Sequence, residues 1–487
     1  MLWGIMTGII VAIGWVLPGW LSLRPAMILV LILWIGALIT VVLPARSQLL
    51  LFWTILPFVS FLKRIVFLDD SAGTTQMYLV LAAQDIVLSL ILFKLFVTTL
   101  KSGMRIRLSS VDISVILFGA YSLFAALLLS SNAPLSARLA AIESRVLPMV
   151  MFFLTANYLN RARDVNTVSR LLVGSSVIVA LYGIHQFFNG FLPFEEAWFT
   201  RASTSTNAAR LQYEIYQSGV FRTFATMDSH GTYGLFLGIG IILAQSQRFR
   251  TGVFVWGTSS LILALGLVLS FTRYTWIMPP IAVAFVVLFQ YGKIKPLFNL
   301  RRLRKGSLLF LAVTGSFFLI YLIASNLYGR QLVTASNPYL LRAFGTSTLY
   351  ARLQWTSLLS TRNISLLGNG LATTVFFARK FGFATNDIDY HNIVVDMLDS
   401  MGIIGLGLFS IMLYLLSTRA ITNIEIQRHR QQRRLLATLF GLILAMLIVS
   451  HFNGAVFYYG RAIPYYFWGI CGMVVHYNWS FLNHRQR

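Results

Sequence analysis

Four basic residues stand in short polar stretches between long apolar runs, and their types suit the handling of an anion and a proton. Arg222 lies in Gly219-Val220-Phe221-Arg222-Thr223-Phe224-Ala225-Thr226-Met227-Asp228-Ser229-His230-Gly231. Arg273 lies in Leu269-Ser270-Phe271-Thr272-Arg273-Tyr274-Thr275-Trp276, Arg352 in Tyr350-Ala351-Arg352-Leu353-Gln354-Trp355, and His391 in Tyr390-His391-Asn392-Ile393. Arginine stays charged and its planar fork grips two phosphate oxygens at once. Histidine, as a side-chain type, exchanges protons near neutrality and suits a base for a hydroxyl. Each residue also has a plainer reading. Arg273 can snorkel to lipid phosphate beside an aromatic belt. His391 can be structural near a helix start, and Asp228 can pair with His230 or cap the helix that follows.

Several chemistries are absent from the sequence: no His-Glu-x-x-His, no phosphate-binding Walker loop and no Gly-x-Ser-x-Gly elbow. Asp387-Ile388-Asp389 has the spacing of a carboxylate pair for a divalent ion, as nucleotide-sugar enzymes use, but that spacing is common by chance and no metal is expected. Asp85, inside an apolar run, reads either as a functional charge or as a buried, hydrogen-bonded structural one. Cys471, the single cysteine, can form no internal disulfide and reads as a small apolar residue.

The elements that must position these residues are membrane spans. The 487 residues are 57% hydrophobic and 11% charged, with mean hydropathy +0.74, against about 25% charged in soluble domains. Pro25 to Pro44 and Ser307 to Asn326 contain no charge, and Val111 to Ser130 only Asp112. A run of about 20 apolar residues crosses a bilayer. The sequence predicts helical spans at 3–20, 26–44, 48–67, 77–97, 112–130, 146–159, 170–189, 231–246, 252–270, 274–291, 307–326, 400–416, 435–451 and 463–479. The third and sixth are the shortest on apolar character, so the expectation is an all-α bundle of about 12–14 spans in one integral membrane domain, 1–487. Met1 to Leu17 lacks a basic leader and reads as an uncleaved first span. No internal repeat or separate soluble domain stands out.

A net charge of +24 would point to nucleic acid in a soluble protein, but its distribution sets membrane orientation, and no nucleic-acid partner is expected. Lys293, Lys295, Arg301, Arg302, Arg304 and Lys305 crowd 291–306; Arg419, Arg428, Arg430, Arg433 and Arg434 crowd 417–434. Lys101, Arg105 and Arg107, then Arg161 and Arg163, then Arg248 and Arg250 mark three further loops. Alternating spans put all five loops and both termini in the cytoplasm. The segments 190–230 and 327–399 then lie outside, too apolar for disorder, and are expected to form short amphipathic helices carrying the chemistry.

Taken in order, these motifs resemble the O-antigen ligase and polymerase family of bacterial envelope glycosyltransferases. The resemblance covers 190–420. It rests on Arg222 to Gly234, on Ser-x-x-Arg-x-x-Trp at Ser270 to Trp276, and on Arg352 to Trp355 ahead of Gly368-Asn369-Gly370. It ends with His391-Asn392 followed by Gly402 to Gly405. His230 stands where the family usually has Asn, and the Arg352-to-Trp355 spacing is one residue short. The resemblance implies transfer of a glycan from a polyprenyl (undecaprenyl) diphosphate carrier to an acceptor hydroxyl, on the outer face of the bacterial cytoplasmic membrane. Its partners would be that donor, a glycan or lipid-core acceptor and membrane lipids, with no cofactor. Arg222, Arg273 and Arg352 would hold the diphosphate and His391 deprotonate the acceptor, with Asn392, His230, Asp389 and Trp276 in support. The competing class is a transporter of an anion or lipid-linked saccharide, which internal repeats and broken helices at the membrane midplane would favour.

Overall fold

Backbone amides and carbonyls cannot be left unpaired in hydrocarbon, so apolar runs fold as helices. The structure, a computed structural model, describes residues 34–36, 42–66, 74–101, 108–201, 221–251, 254–291, 365–374, 392–451, 457 and 462–477. Every regular element among them is helical.

α1 (Ala45–Ile65) passes through a 3₁₀ turn at Leu56–Phe58, where Pro57 lacks an amide hydrogen. α2 covers Thr74–Lys101. α3 (Ser110–Leu129) opens on a reciprocal cap: Asp112 N donates to Ser109 Oγ at 3.3 Å and Ser109 N to Asp112 Oδ2 at 2.6 Å. α4 (Leu135–Tyr158) changes to π geometry at Ile142–Val146 and to 3₁₀ at Leu147–Met149, around Pro148. α5 (Ala162–Asn189) ends at Gly190, whose φ is 77°. Then come α6 (Pro193–Arg201), α7 (His230–Thr251), α8 (Phe254–Leu269) and a single turn, Arg273–Trp276, leading into α9 (Met278–Tyr291). α10 (Ile393–Ile426), α11 (Arg430–Ser450) and α12 (Ile463–Val475) complete the order.

Six of these, α1, α3, α4, α5, α10 and α11, are long and apolar enough to cross a membrane by length and composition. The chain reads as a multi-pass membrane protein. Phe254–Leu269, Arg273–Phe289 and Ile463–Val475 are shorter apolar helices. The spans expected at 3–20 and 307–326, and most of 26–44, fall outside the described residues. The three largest boundary differences from expectation arise because charged turns turn out to be helical. The sixth span starts at Leu135 rather than 146, the seventh at Ala162 rather than 170, and the twelfth runs from Ile393 to Ile426 rather than 400–416. Several of the extra charges find partners within the protein. Arg138 donates to the carbonyls of Ala133, Leu127 and Ser131, and Asp164 pairs with Arg46.

α12 is the core. All 13 of its residues are buried, Cys471 included. At 1.5 Å per residue such a helix is about 20 Å long, short of the ~30 Å hydrocarbon thickness. Small residues let its neighbours close in. Thr155 Oγ1 of α4 donates to Gly469 O at 2.8 Å, and Tyr466 donates its hydroxyl to Trp53 O of α1 at 2.9 Å.

Contacts sort the helix ends into two groups. At one end Arg46 of α1 pairs with Asp164 of α5, and Gln247 of α7 donates to Asn166 of α5 at 2.8 Å. Arg433 of α11 donates to Phe289 O of α9 at 3.3 Å. Asn423 of α10 donates to Val474 O of α12 at 2.9 Å, and His476 to Asp112 of α3 at 2.7 Å. This end gathers the segments with Arg161, Arg163, Arg248, Arg250, Arg419 and Arg428. The candidate residues belong to the other ends of the same helices.

Candidate functional site at the Arg222 loop

Residues 221–229 have no regular structure, so their backbone groups must find partners elsewhere. They find them on α5 and α1, and two threonine hydroxyls of the loop add bonds to α1 and α8. Gln186 Oε1 of α5 accepts from Phe224 N at 3.1 Å and Ala225 N at 3.0 Å. Arg64 Nη2 of α1 donates to Ala225 O at 2.6 Å and Met227 O at 3.1 Å. Thr226 donates to Pro57 O at 2.9 Å and Thr223 to Leu269 O at 3.2 Å. Held this way, Ala225 sits at φ 48°, a left-handed conformation a non-glycine residue rarely adopts. Arg222 itself is only 4% exposed. Its Nη1 lies 3.0 Å from His230 Nε2. A guanidinium only donates, so in this arrangement Nε2 accepts and the His230 proton resides on Nδ1.

Arg64, missed from the sequence, is the hub of this loop. It is completely buried. Its Nη1 pairs with Glu195 Oε1 of α6 at 2.6 Å, its Nε donates to Ser60 O at 3.1 Å, and its guanidinium carbon lies 4.7 Å from the Phe224 ring centroid. Glu195 also accepts from the Tyr182 hydroxyl at 2.9 Å, from Leu192 N at 3.3 Å and from Gln186 Nε2 at 3.3 Å. The signal was present: Lys63-Arg64 falls at the end of an expected span, on the expected outer side with Arg222, where positive charge is normally depleted.

Arg273 is carried by a hinge stitched to that loop. After α8, Phe271 takes φ 47° and Thr272 turns the chain into Arg273–Trp276. Thr272 Oγ1 lies 3.3 Å from His230 O, so the two arginine-bearing segments share hydrogen bonds in both directions. Trp276 Nε1 donates to Leu267 O at 2.9 Å, which fixes the hinge angle. Arg273 is half-buried at the start of this turn. The start of α7 is capped by the residue after Asp228. Ser229 Oγ, at the N-cap position, accepts from Thr232 N at 3.2 Å.

A second cluster forms around the start of α10. Gly402, at φ 67°, breaks that helix and frees backbone groups on both sides. Residues 365–370 take them up: Asn369 N donates to Asp399 O at 2.8 Å, Gly370 N to Ser400 O at 2.9 Å, and Ile404 N to Leu366 O at 3.2 Å. The Gly-x-Gly and Gly-x-x-Gly motifs are thus one interlock. Asn392 caps α10, its Oδ1 accepting from Val394 N at 2.9 Å and Val395 N at 3.3 Å. One turn on, buried Asp396 pairs with Arg145 Nη2 of α4 at 2.9 Å. Arg352, His391 and Asp389, with Asp387, lie outside the described residues. Asp85 is half-buried in α2.

No protein-family model matches this chain, and no curated protein matches it either.

Proposed function

We propose that the protein transfers a glycan from a polyprenyl diphosphate carrier to an acceptor hydroxyl at the outer face of the bacterial cytoplasmic membrane, as an O-antigen ligase or polymerase does. The observation that carries the reading is the pairing of the Arg222 loop with the Arg273 hinge. Two arginines sit on segments that hydrogen-bond to each other, both with left-handed backbone, at the bundle end away from the basic loops. Strained backbone persists only where surrounding structure over-determines it, and it concentrates at functional sites. A preorganised cationic clamp is what a departing diphosphate needs.

In this reading the acceptor oxygen attacks the anomeric carbon in line while His391 takes its proton. The anomeric C–O bond breaks with inversion, and the polyprenyl diphosphate leaves with the electron pair, held by Arg222, Arg273 and Arg352. Arginine charge serves in place of a metal. Asn392, as the cap of α10, sets where the chain turns just after His391. Some 12–14 spans, cytoplasmic termini and outer segments at 190–230 and 327–399 complete the proposal.

The test is a transfer assay on purified protein with polyprenyl-diphosphate-linked oligosaccharide and EDTA. Wild type should release carrier diphosphate and extend or attach glycan. His391→Ala should bind carrier without turnover, and Arg273→Lys should lose about ten- to a hundredfold in rate, since lysine keeps the charge but not the fork. Unimpaired turnover by His391→Ala would sink the base assignment. A ladder of product sizes would identify a polymerase, a single attachment a ligase, and carrier binding without turnover in wild type a transporter.

A further inference from the structure

We propose that Arg64, Glu195 and Gln186 are a positioning device that holds the Arg222 loop in its anion-binding shape; the anion-binding part of this rests on the function proposed above. One guanidinium joins three pieces of chain: its own helix through Ser60 O, α6 through Glu195, and the loop through the carbonyls of Ala225 and Met227. Gln186 works on the loop's other face. Its carbonyl takes the amides of Phe224 and Ala225 while its NH₂ group reaches Glu195. Both groups grip Ala225, one by its N–H and one by its C=O, and Ala225 is the residue at φ 48°. The network therefore closes on the strained residue, three positions from Arg222.

Stability alone does not account for this arrangement. A buried ion pair is often no more stabilising than well-packed apolar residues of the same volume. The role left for Arg64 is geometric. Lysine would keep the charge beside Glu195, yet one ammonium cannot span Ser60 O, Glu195, Ala225 O and Met227 O together. Gln186 is equally specific, because a carboxylate there would offer no donor to Glu195.

The experiment uses the full chain in lipid nanodiscs, with inorganic pyrophosphate as the binding probe and hydrogen exchange of residues 221–229 as the structural one. Arg64→Lys and Gln186→Leu should each speed exchange at 224–227 by about tenfold or more, while the interior amides of α5 and α7 stay protected. Arg64→Lys should weaken pyrophosphate binding by about tenfold. Made in an Arg222→Ala background, the same change should weaken it no further. A role in stability alone would give equal losses in both backgrounds, and that result would overturn the proposal. So would unchanged loop exchange in both variants. Gln186→Leu leaves the ion pair intact and serves if Arg64→Lys does not fold. Loosened loops in variants of a wild type that binds no pyrophosphate would support the clamp on the loop and sink the diphosphate reading, so the two claims fail separately.

Discussion

Ala225 and Phe271 hold φ at 48° and 47°, where a Cβ crowds its own backbone at a cost of about 1–2 kcal/mol each. Both are within three positions of an arginine; Ala225 is pinned by hydrogen bonds from α1 and α5, while the Phe271 amide closes back on Val268 O at 3.0 Å and its ring stacks on Phe187. Removing the Cβ relieves the crowding, and branching it makes the crowding worse. Ala225→Gly should therefore unfold within about 1 kcal/mol of wild type, because relief of strain offsets lost packing and chain entropy. Ala225→Val should lose about 2 kcal/mol or more. Thermal unfolding in detergent measures both, and a Val variant as stable as wild type would show that no strain is stored there. Nothing in the residue types signals this strain, since Ala and Phe are not residues one associates with left-handed turns. Arg222 and Arg273 were legible because a positive charge on the expected outer side has no topological reason to be there. Arg64 escaped because it was counted within an apolar span. Its partner Glu195 is 131 positions away in the chain, and no local pattern connects them.

At the scale of elements, the buried Arg145–Asp396 pair does for α10 what Arg64 does for the loop. It joins the π-helical stretch of α4 to the first turn of α10, just beyond the cap at Asn392, and Arg145 Nη1 also reaches Ser400 Oγ at 3.4 Å. Both charges are less than a tenth exposed, so removing one leaves the other stranded. Asp396→Asn should destabilise the protein by about 3–5 kcal/mol, whereas Arg145→Met combined with Asp396→Leu should recover most of that loss. Unfolding curves of the three variants decide it; a single variant as stable as wild type would mean that water or another group already solvates Arg145. Most of the helices could be read from their apolar runs. What could not be read was that Arg138, Glu143 and Arg145 belong inside a helix. A charged stretch reads as a loop until its carbonyl and carboxylate partners are known, and here they come from α3 and α10. The interlock at Gly402 was half legible: two glycine motifs stood out, but only the fold shows that one occupies the backbone groups the other exposes.

For the whole molecule, the decisive property is the segregation of its two ends. The contacts Arg46–Asp164, Gln247–Asn166, Arg433–Phe289 and His476–Asp112 tie together the ends that carry the basic segments. Thr223–Leu269, Thr272–His230 and Arg64–Glu195 tie together the opposite ones. Positive segments favour the cytoplasmic side, so under the proposed function this grouping would put the Arg222 loop outside, where a lipid-linked donor would be met without nucleotide sugars. Cysteine labelling tests it directly, because Cys471 is buried in α12 and can be replaced by alanine. In that background, Asn189→Cys and His429→Cys put one exposed thiol at each end. An impermeant maleimide added to intact cells should label Asn189→Cys at once and His429→Cys only after permeabilisation. The reverse pattern would keep the two-ended bundle but turn it over, bringing Arg222 and Arg273 to the cytoplasmic face and removing the case for transfer outside. Labelling of both from the same side would break the grouping of the ends itself. Orientation thus bears on function more heavily than any single side chain: the same two arginines facing the cytoplasm would meet soluble nucleotides and phosphates, and an outer-face carrier diphosphate would be out of their reach.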